Sequence, residues 1–456
     1  MVALALGPMR RRPAAFTGLA VALFLAVATV TLFGSLLAAE VTAPPAARGT
    51  VEGPGLVVIA GAFGEIAVLV AFFVVVNALG FALRQQHQEL ALLRTIAATP
   101  RQTRRLVRAQ VAWTTVLVAV PGWVLGVAAA RRFLVELQRL GMAPPGMRVP
   151  LTPVPVLVAL VAALAVGLAA TAVAARRISR IAPAAALTAS ATEHGRAGAP
   201  RLLAGIGVLV GGGLLLRLAA TRPPGQEDKA GQAALLGSLV LLIAVALMGP
   251  LLARLLAAAL GAPVRVVAPR AGWLADANLR GYARRLSSAV VPVALLVGLS
   301  GTMVIMTSTA GHAGGATATS VTSPTDVWLR QAELAMLACF AAVSTVNTLV
   351  AVTAERRREF ALLRLVGATR SHLMRMLAVE AVLTTVVGVL LGAVVAGAAS
   401  AAFSTAVTGS PVPSVPVAAC GWIVAGAVVL TVPGILLTGL RAVRGPAAEL
   451  VGGGRG

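Results

Sequence analysis

The chain has 456 residues, of which 58% are hydrophobic and only 12% are charged. Its mean hydropathy of +0.92 excludes a soluble multidomain protein and indicates a polytopic membrane protein. The formal net charge of +23 would indicate a nucleic-acid partner in a soluble protein. Here the basic residues lie between long apolar runs, where positive charge sets membrane topology. No nucleic-acid partner is therefore expected.

Ten apolar runs of about 18 to 28 residues are predicted to be membrane-spanning helices. They cover residues 15–39, 56–82, 110–130, 152–175, 202–220, 232–259, 286–308, 329–353, 377–403 and 417–440. The first run follows three arginines, as the apolar region of a signal peptide does. It is longer than such a region and has a counterpart later in the chain, so we predict an uncleaved helix.

The distribution of basic residues predicts the orientation of these helices. If the N-terminus is cytoplasmic, 29 of the 38 basic residues fall in cytoplasmic segments or at a cytoplasmic helix end. This bias agrees with the positive-inside rule. We therefore predict a multi-pass plasma-membrane protein with both termini in the cytoplasm. Segment 131–148 is the exception, because it places four arginines outside; we predict a partly helical external loop.

The chain contains an internal repeat. Residues 89–99 and 359–369 are identical at seven of eleven positions, without a gap, at an offset of 270. The first and seventh predicted spans align at a nearly equal offset of 272. Six helices separate the paired elements, and an even number gives both copies the same orientation. The sequence thus predicts two parallel repeats related by an axis along the membrane normal.

The predicted fold is an all-α polytopic membrane protein of about ten spanning helices, in two parallel four-helix repeats joined by two linker helices. Its predicted parts are a first repeat, a cytoplasmic linker with two connecting helices, a second repeat and a cytoplasmic tail, covering 1–175, 176–260, 261–445 and 446–456. The loops at 40–55 and 309–328 are short. No large extracytoplasmic domain is expected.

The repeated motif predicts a helix–turn–helix elbow on the cytoplasmic face of each repeat. In the first copy, Thr99 is a good N-cap and Pro100 suits the first helical turn. In the second copy, Gly367 is a natural C-terminal stop and Thr369 a natural N-cap. Each elbow is covalently continuous with the spans on both sides. A protein that binds there can therefore push or twist those helices.

A basic amphipathic elbow has two interpretations. It can lie on anionic lipid headgroups, which makes membrane lipid an expected partner. However, Glu89 and Glu359 recur inside these basic segments, each beside an apolar Ala-Leu-Leu core. Lipid attraction does not need the glutamate, whereas a protein docking surface needs mixed charge and an apolar anchor.

No motif in the sequence indicates that this chain is itself an enzyme. Its single lysine, Lys229, is not part of a Gly-Lys-Ser/Thr triplet, so any ATP hydrolysis is expected from another chain. The two cysteines, Cys339 and Cys420, fall within apolar spans and form no disulfide framework. The four histidines show no metal spacing, so neither a metal nor a cofactor is expected in this chain.

The two motif copies, Glu89-Leu-Ala-Leu-Leu-Arg and Glu359-Phe-Ala-Leu-Leu-Arg-Leu-Val-Gly-Ala-Thr, resemble the motif of FtsX-like permease domains. Such domains occur in the membrane subunits of MacB-like ABC transporters. The resemblance is good over 56–175 and 329–440. It implies a permease whose elbows are coupling helices seated on a separate cytoplasmic ABC ATPase, two copies of which bind ATP and Mg²⁺. The residues implied in these elbows are Glu89, Leu92, Leu93, Arg94, Thr99, Glu359, Leu362, Leu363, Arg364, Gly367 and Thr369.

Several polar residues lie in or near the spans, where a charge is costly and usually faces protein or water. Glu333 is three residues from Arg330, so a pair within one helix is expected. Glu65 has no such local partner and is a candidate substrate-facing or coupling residue. The full set of candidates is Glu65, Asn77, Glu333, Asn347 and Glu380.

Three of these candidates are related by the repeat. At the offset of 270, Asn77 falls on Asn347 and Gln110 falls on Glu380. The two asparagines either hydrogen-bond between helices or line a path, and asparagine is common in helix–helix contacts. Glu380 is expected at the cytoplasmic interface, where Arg375 or Arg358 can pair with it.

These observations predict a permease that couples ATP hydrolysis by a partner ATPase to export or extraction of an amphiphilic substrate. One alternative is an ATPase-driven subunit that transmits a signal across the membrane, although the short external loops offer little surface for a partner. Another is an ion-coupled secondary transporter with Glu65 as the coupling residue. FtsX-like permeases usually carry a sizeable extracytoplasmic domain, which is missing here, so their substrates are not carried over.

Overall fold

The computed structural model describes residues 13–43, 55–85, 100–150, short stretches between 157 and 169, 199–223, 225–267, 283–313, 324–355 and 357–443. All regular secondary structure within these ranges is α-helical. Eight of the described helices are long and apolar enough to cross a membrane. The predicted all-α polytopic membrane fold is thereby confirmed.

Nine of the described helices overlap predicted spans, several of them extending further, and one short helix is added at the second elbow. In chain order they are α1 Pro13–Thr42, α2 Gly55–Gln85, α3 Pro100–Arg139, α4 Ala199–Ala220, α5 Glu227–Val267, α6 Ala283–His312, α7 Pro324–Glu355, α8 Arg357–Leu365, α9 Arg370–Thr408 and α10 Val417–Val443. The predicted fourth span lies largely outside the described residues. The count of ten spans and the four-helix composition of each repeat stay predictions.

The chain divides into two compact units. Unit 1 comprises Met1–Ala191 with Val327–Ser344, and unit 2 comprises Thr192–Asp326 with Thr345–Gly456. Most of α7 therefore belongs to unit 1, although the sequence repeat assigns it to the second half. The domain boundaries predicted from the sequence stay predictions.

In unit 1, α1 packs against α3 at two glycines of α3. A Cβ atom added at Gly122 would lie 2.9 Å from Val27 Cγ1 and 3.3 Å from the Phe24 carbonyl oxygen. A Cβ atom added at Gly126 would lie 2.6 Å from the Ala28 carbonyl oxygen. Such distances leave no room for a side chain, so the two helix backbones meet directly. Small residues allow this approach between helices in a membrane.

In unit 2, α6 packs against α9 in the same way. A Cβ atom added at Gly392 would lie 2.8 Å from Val297 Cβ and 2.9 Å from the Ala294 carbonyl oxygen. One turn further along, a Cβ atom added at Gly301 would lie 3.1 Å from Ala396 Cβ. At this second contact the glycine, Gly301, is on α6. At the second contact in unit 1 the glycine, Gly126, is on α3.

The two crossings are equivalent at a single offset of 270. The α3 glycine at 122 corresponds to Gly392, and the α1 contact at Val27 corresponds to Val297. This offset equals that of the elbow motifs. The first span therefore aligns with the seventh span at an offset of 270, instead of the offset of 272 expected from the sequence.

Buried threonines follow the same offset. Thr114 Oγ1 donates to the Gln110 carbonyl at 2.8 Å, and Thr384 Oγ1 donates to the Glu380 carbonyl at 2.7 Å. Each hydroxyl is satisfied within its own helix, so it costs little inside a membrane. Matching glycine and threonine positions in both units support the internal repeat at the level of individual contacts.

At its C-terminal end, α3 extends beyond the predicted span, which ended at residue 130. The helix continues to Arg139, and residues 131–139 are the helical part of the segment predicted to be partly helical. Gln138 Nε2 then donates to the Pro144 and Met147 carbonyls at 3.0 and 2.9 Å. These bonds fold segment 141–149 back onto the helix end, and its apolar residues join the core cluster there.

Aromatic side chains close the same end of unit 1. Phe33, Phe63 and Phe133 pack around one another with ring centroids 5.7 to 6.2 Å apart. Trp328 of α7 lies 4.9 Å from Phe133. These residues bring together α1, α2, α3 and the start of α7. In a chain with only 4% aromatic residues, this is the main aromatic contribution to the described core.

A proline in α5 is compensated by an arginine of α4. Pro250 has no N–H group, so it leaves the Ala246 carbonyl, four residues earlier, without its helical donor. Arg201 supplies the missing donors, with Nη2 3.0 Å from that carbonyl oxygen and Nε 2.9 Å from the Leu247 carbonyl oxygen. The arginine thus connects α4 to α5 beside the proline.

Replacing Gly392 by alanine should lower the stability of unit 2 by about 1–3 kcal/mol, because the added methyl group overpacks a backbone contact. Gly397→Ala is the matched control on the same helix, since a Cβ atom there meets nothing within 4 Å. Thermal unfolding in detergent measures both variants. Equal unfolding midpoints would mean that the α6–α9 crossing tolerates a side chain.

Replacing Arg201 by glutamine should also destabilise the chain, by about 1–3 kcal/mol, because a partly buried carbonyl of α5 loses its donor. Arg254→Gln removes the same charge from an exposed position of α5 and should change the midpoint little. Thermal unfolding and hydrogen exchange of residues 246–254 report the difference. The assignment fails if the two variants behave alike.

Candidate functional site

The structure describes the second elbow and only the helices on either side of the first. Segment 86–99 is outside the described residues. Five predicted site residues fall there and stay predictions: Glu89, Leu92, Leu93, Arg94 and Thr99. The second elbow, consisting of α8, residues 366–369 and the start of α9, is described.

The turn that ends α8 is a Schellman motif. Gly367 has a φ of 101°, a left-handed conformation that glycine adopts at low cost. The Ala368 N–H donates to the Leu363 carbonyl at 2.9 Å, and the Gly367 N–H donates to the Arg364 carbonyl at 3.1 Å. These are the two hydrogen bonds that define the motif. The C-terminal stop predicted at Gly367 is confirmed.

The next helix begins immediately after this turn. Thr369 has extended backbone angles, φ −74° and ψ 157°, and its Oγ1 accepts a hydrogen bond from the His372 N–H at 3.2 Å. This is the side-chain N-cap predicted from the sequence. Capping groups thus define the backbone on both sides of the corner, so α8 and α9 meet at a fixed turn rather than a loose linker.

One face of α8 anchors the elbow. Phe360 and Ala361 are each 1% exposed. Phe360 belongs to a core cluster with Leu373 and Leu377 of α9 and Ile435 of α10. The elbow is therefore packed onto two long helices, and sequence reasoning did not identify Phe360 as its anchor.

The opposite face of α8 is apolar and exposed. Leu362, Leu365 and Val366 are 48%, 57% and 88% exposed, and their spacing places them on one side of the last turn. We call these three residues the tip. Leu363, predicted to share the contact surface with Leu362, instead packs against the core cluster, and Arg364 is half-buried.

Leu365 and Val366 were missed by the sequence reasoning. The signal that could have found them is Gly367, because a glycine at the first position past a helix places the two preceding residues at its last turn. Side chains there have few neighbours to cover them. For Glu359 the structure gives the backbone position in α8 alone.

The polar candidates in the spans differ in their exposure. Glu65 is exposed on α2, Asn77 and Asn347 are half-buried on α2 and α7, and Glu380 is half-buried on α9. Glu333 is 7% exposed, and the side chain of Arg330 lies outside the described residues, so their pairing stays a prediction.

Nothing in the described part of the chain forms a metal site. No three His, Cys, Asp or Glu side chains lie close enough there to hold an ion. Gln110, which is repeat-equivalent to Glu380, is 2% exposed, and its Nε2 has no hydrogen-bond partner among the described residues.

A comparison with protein families identifies both halves of the chain. The model for the FtsX-like permease C-terminal domain matches residues 61–183 and again residues 333–447. Together the two matches cover just over half of the 456 residues. Each match includes one of the two elbow motifs. No curated protein matches the chain.

Replacing Thr369 by alanine should loosen the first turn of α9 by about 1 kcal/mol, because the His372 N–H loses its acceptor. Thr369→Ser keeps the hydroxyl group and should behave as the wild type. Hydrogen exchange of the amides in residues 371–374 measures the effect directly. Unchanged exchange in the alanine variant would show that the cap does not hold the corner.

Proposed function

The chain belongs to the FtsX-like permease family, with two FtsX-type domains, and we propose that each elbow seats one cytoplasmic ATPase subunit. Membership makes it a multi-pass membrane subunit of an ABC transporter rather than a catalytic enzyme. Members of this family normally pair with an ABC ATPase. On this proposal the ATPase binds ATP and Mg²⁺, and its cycle drives export or extraction of an amphiphilic substrate.

The tip is the observation that carries the proposal. Leu362, Leu365 and Val366 expose apolar surface on a nine-residue helix whose neighbourhood in the sequence is strongly basic. Exposed apolar residues beside charged ones are typical of a protein docking surface, in which a few central side chains supply most of the binding energy. A helix that only lies on lipid headgroups does not need a fixed turn that presents these residues.

The packing of the elbow supports transmission of movement into the membrane. The inner face of α8 is held by α9 and α10, so a displacement of the tip moves these helices with it. Helix α9 continues for 39 residues to Thr408, about 58 Å at 1.5 Å per residue. It contacts α6 through the glycine crossing at Gly392. A push at the tip is thereby passed to two spanning helices.

The ion-coupled alternative receives no support from the position of Glu65. A coupling carboxylate in a membrane faces the protein interior or a water-filled path. Glu65 is exposed on α2 and lacks the enclosing neighbours of a carboxylate in the protein interior. We therefore favour coupling through the elbows.

Introducing aspartate at both Leu365 and Val366 should abolish or reduce binding of the ATPase at least tenfold, because two apolar contacts are replaced by charges. The paired control, Val412→Asp with Val415→Asp, adds the same charges at exposed apolar positions between α9 and α10, outside the elbow. Affinity purification from native membranes in mild detergent measures the amount of ATPase bound. Equal recovery with both double variants would refute docking at the tip.

The same purification measures the stoichiometry. Two ATPase subunits for each chain would support the use of both elbows and a pseudo-dimeric permease. Two ATPase subunits for two chains would mean that one elbow in each chain is used. Absence of any ATPase, with a monodisperse wild-type chain, would overturn the proposed coupling.

A further inference from the structure

Four arginines lie at the end of α3 that is opposite its elbow. Arg131, Arg132 and Arg139 are on the helix, and Arg148 is on the segment that folds back beside it; all four are exposed. The hydrogen bond from Gln138 to the Met147 carbonyl holds the residue before Arg148 against α3. Gln138 is six residues, or about 9 Å along the axis, from Arg132. The arginines therefore form one local surface, which we call the arginine face.

The arginine face carries positive charge that the described acidic residues do not neutralise. Arg139 pairs with Glu136 at 2.9 Å. Arg131, Arg132 and Arg148 make no ion pair or hydrogen bond with any residue that the structure describes. The other described acids at this end are Glu40, which is half-buried, and Glu333, which is buried.

The surface of α3 next to the arginines is suited to lipid tails. Leu117, Val120 and Val124 are 71%, 65% and 56% exposed, and they precede Arg131 along the same helix. From Val111 to Ala130 the helix rises about 30 Å, the thickness of the hydrocarbon core. The arginines consequently begin at the level where lipid headgroups lie.

The second repeat shows that this charge is not a requirement of the fold. At the offset of 270 the positions of Arg131, Arg132 and Arg139 are occupied by alanine, alanine and Gly409. Helix α9 ends there with a left-handed glycine, whose φ is 72°. The same helix end can thus be built without any arginine, and arginines on the outer side oppose the positive-inside rule.

We propose that the arginine face binds the phosphate headgroup of an anionic phospholipid in the outer leaflet. Guanidinium groups donate to phosphate oxygens in a planar, bidentate geometry, and the apolar α3 surface beside them accommodates the acyl chains. This proposal rests on the proposed function, which it deepens, because it makes anionic, phosphate-bearing amphiphiles the substrate class.

Native mass spectrometry of the full chain in detergent tests the binding directly, with phosphatidylglycerol and phosphatidylcholine as probes. The triple variant with Arg131→Gln, Arg132→Gln and Arg148→Gln should bind phosphatidylglycerol at least tenfold more weakly, since each arginine near an anionic surface contributes about a factor of five. Its binding of phosphatidylcholine, whose phosphate charge is offset by the choline cation, should fall by a smaller factor. An unchanged affinity for phosphatidylglycerol would overturn the proposal.

A second triple variant separates a local site from overall charge. Arg217→Gln, Arg222→Gln and Lys229→Gln remove three positive charges around the connection between α4 and α5. This control should keep the wild-type affinity for phosphatidylglycerol, and an equal loss would overturn a site at the arginine face. Equal competition by glycerol phosphate, which has no acyl chains, would overturn the assignment to a lipid.

The position of the face is tested by labelling in whole cells. In a chain with Cys339→Ser and Cys420→Ser, a cysteine introduced by Arg148→Cys should react with a membrane-impermeant maleimide added outside. If this cysteine reacts only after the cells have been opened with detergent, the outer-leaflet site is overturned.

ATPase measurements on the assembled complex distinguish the two proposals. Phosphatidylglycerol should stimulate the wild-type complex, and the arginine-face triple variant should lose this stimulation but keep basal ATP hydrolysis and ATPase binding. If no ATPase binds the wild-type chain, the proposed function fails, while the mass-spectrometric binding result still decides the arginine face. If the ATPase binds and phosphatidylglycerol stimulates the variant as fully as the wild type, the proposal for the arginine face is overturned and the proposed function is not.

Discussion

Direct contact between helix backbones is the constraint on which the rest of this structure depends. Lipid tails are as apolar as leucine, so helices in a membrane gain little from hydrophobic burial and depend on close packing. Here that packing is concentrated where Gly122 and Gly126 of α3 meet α1, and where Gly392 of α9 meets α6. A helix held this closely cannot slide independently of its neighbour. Movement imposed on α9 is therefore shared with α6.

The elbow converts this packing into a mechanical connection. Its corner is defined by the Schellman turn at Gly367 and the N-cap at Thr369, and its inner face is fixed by Phe360 in the core cluster. Only the tip is left exposed. A rigid corner with one exposed face transmits displacement, whereas a flexible loop would absorb it, and on our proposal this is how ATPase movement reaches the spans.

Much of this arrangement could be predicted from the sequence, because it depends on local signals. Apolar run length located the spans, and glycine and threonine at fixed spacing located the corner. The exposed face of α8 could not be predicted in the same way. Periodicity shows that Leu362 and Leu365 share a face, but the burial of Leu363 is decided by α9 and α10, which are distant in sequence. The continuation of α3 to Arg139 was predicted only as a partly helical segment without an end point, because charged residues end an apolar run without ending a helix.

The two repeats are alike where helices cross and different at their outer ends. The glycine contacts and the buried threonines match at one offset, as expected if both halves respond to the same kind of ATPase movement. At the end opposite the elbow, α3 carries arginines, whereas α9 ends in alanine, threonine and glycine. If, as we propose, both elbows receive the same ATPase movement, only the first repeat has an arginine face on which to engage a ligand. On that proposal, an anionic headgroup bound there moves with α3, and through the contact at Gly122 with α1.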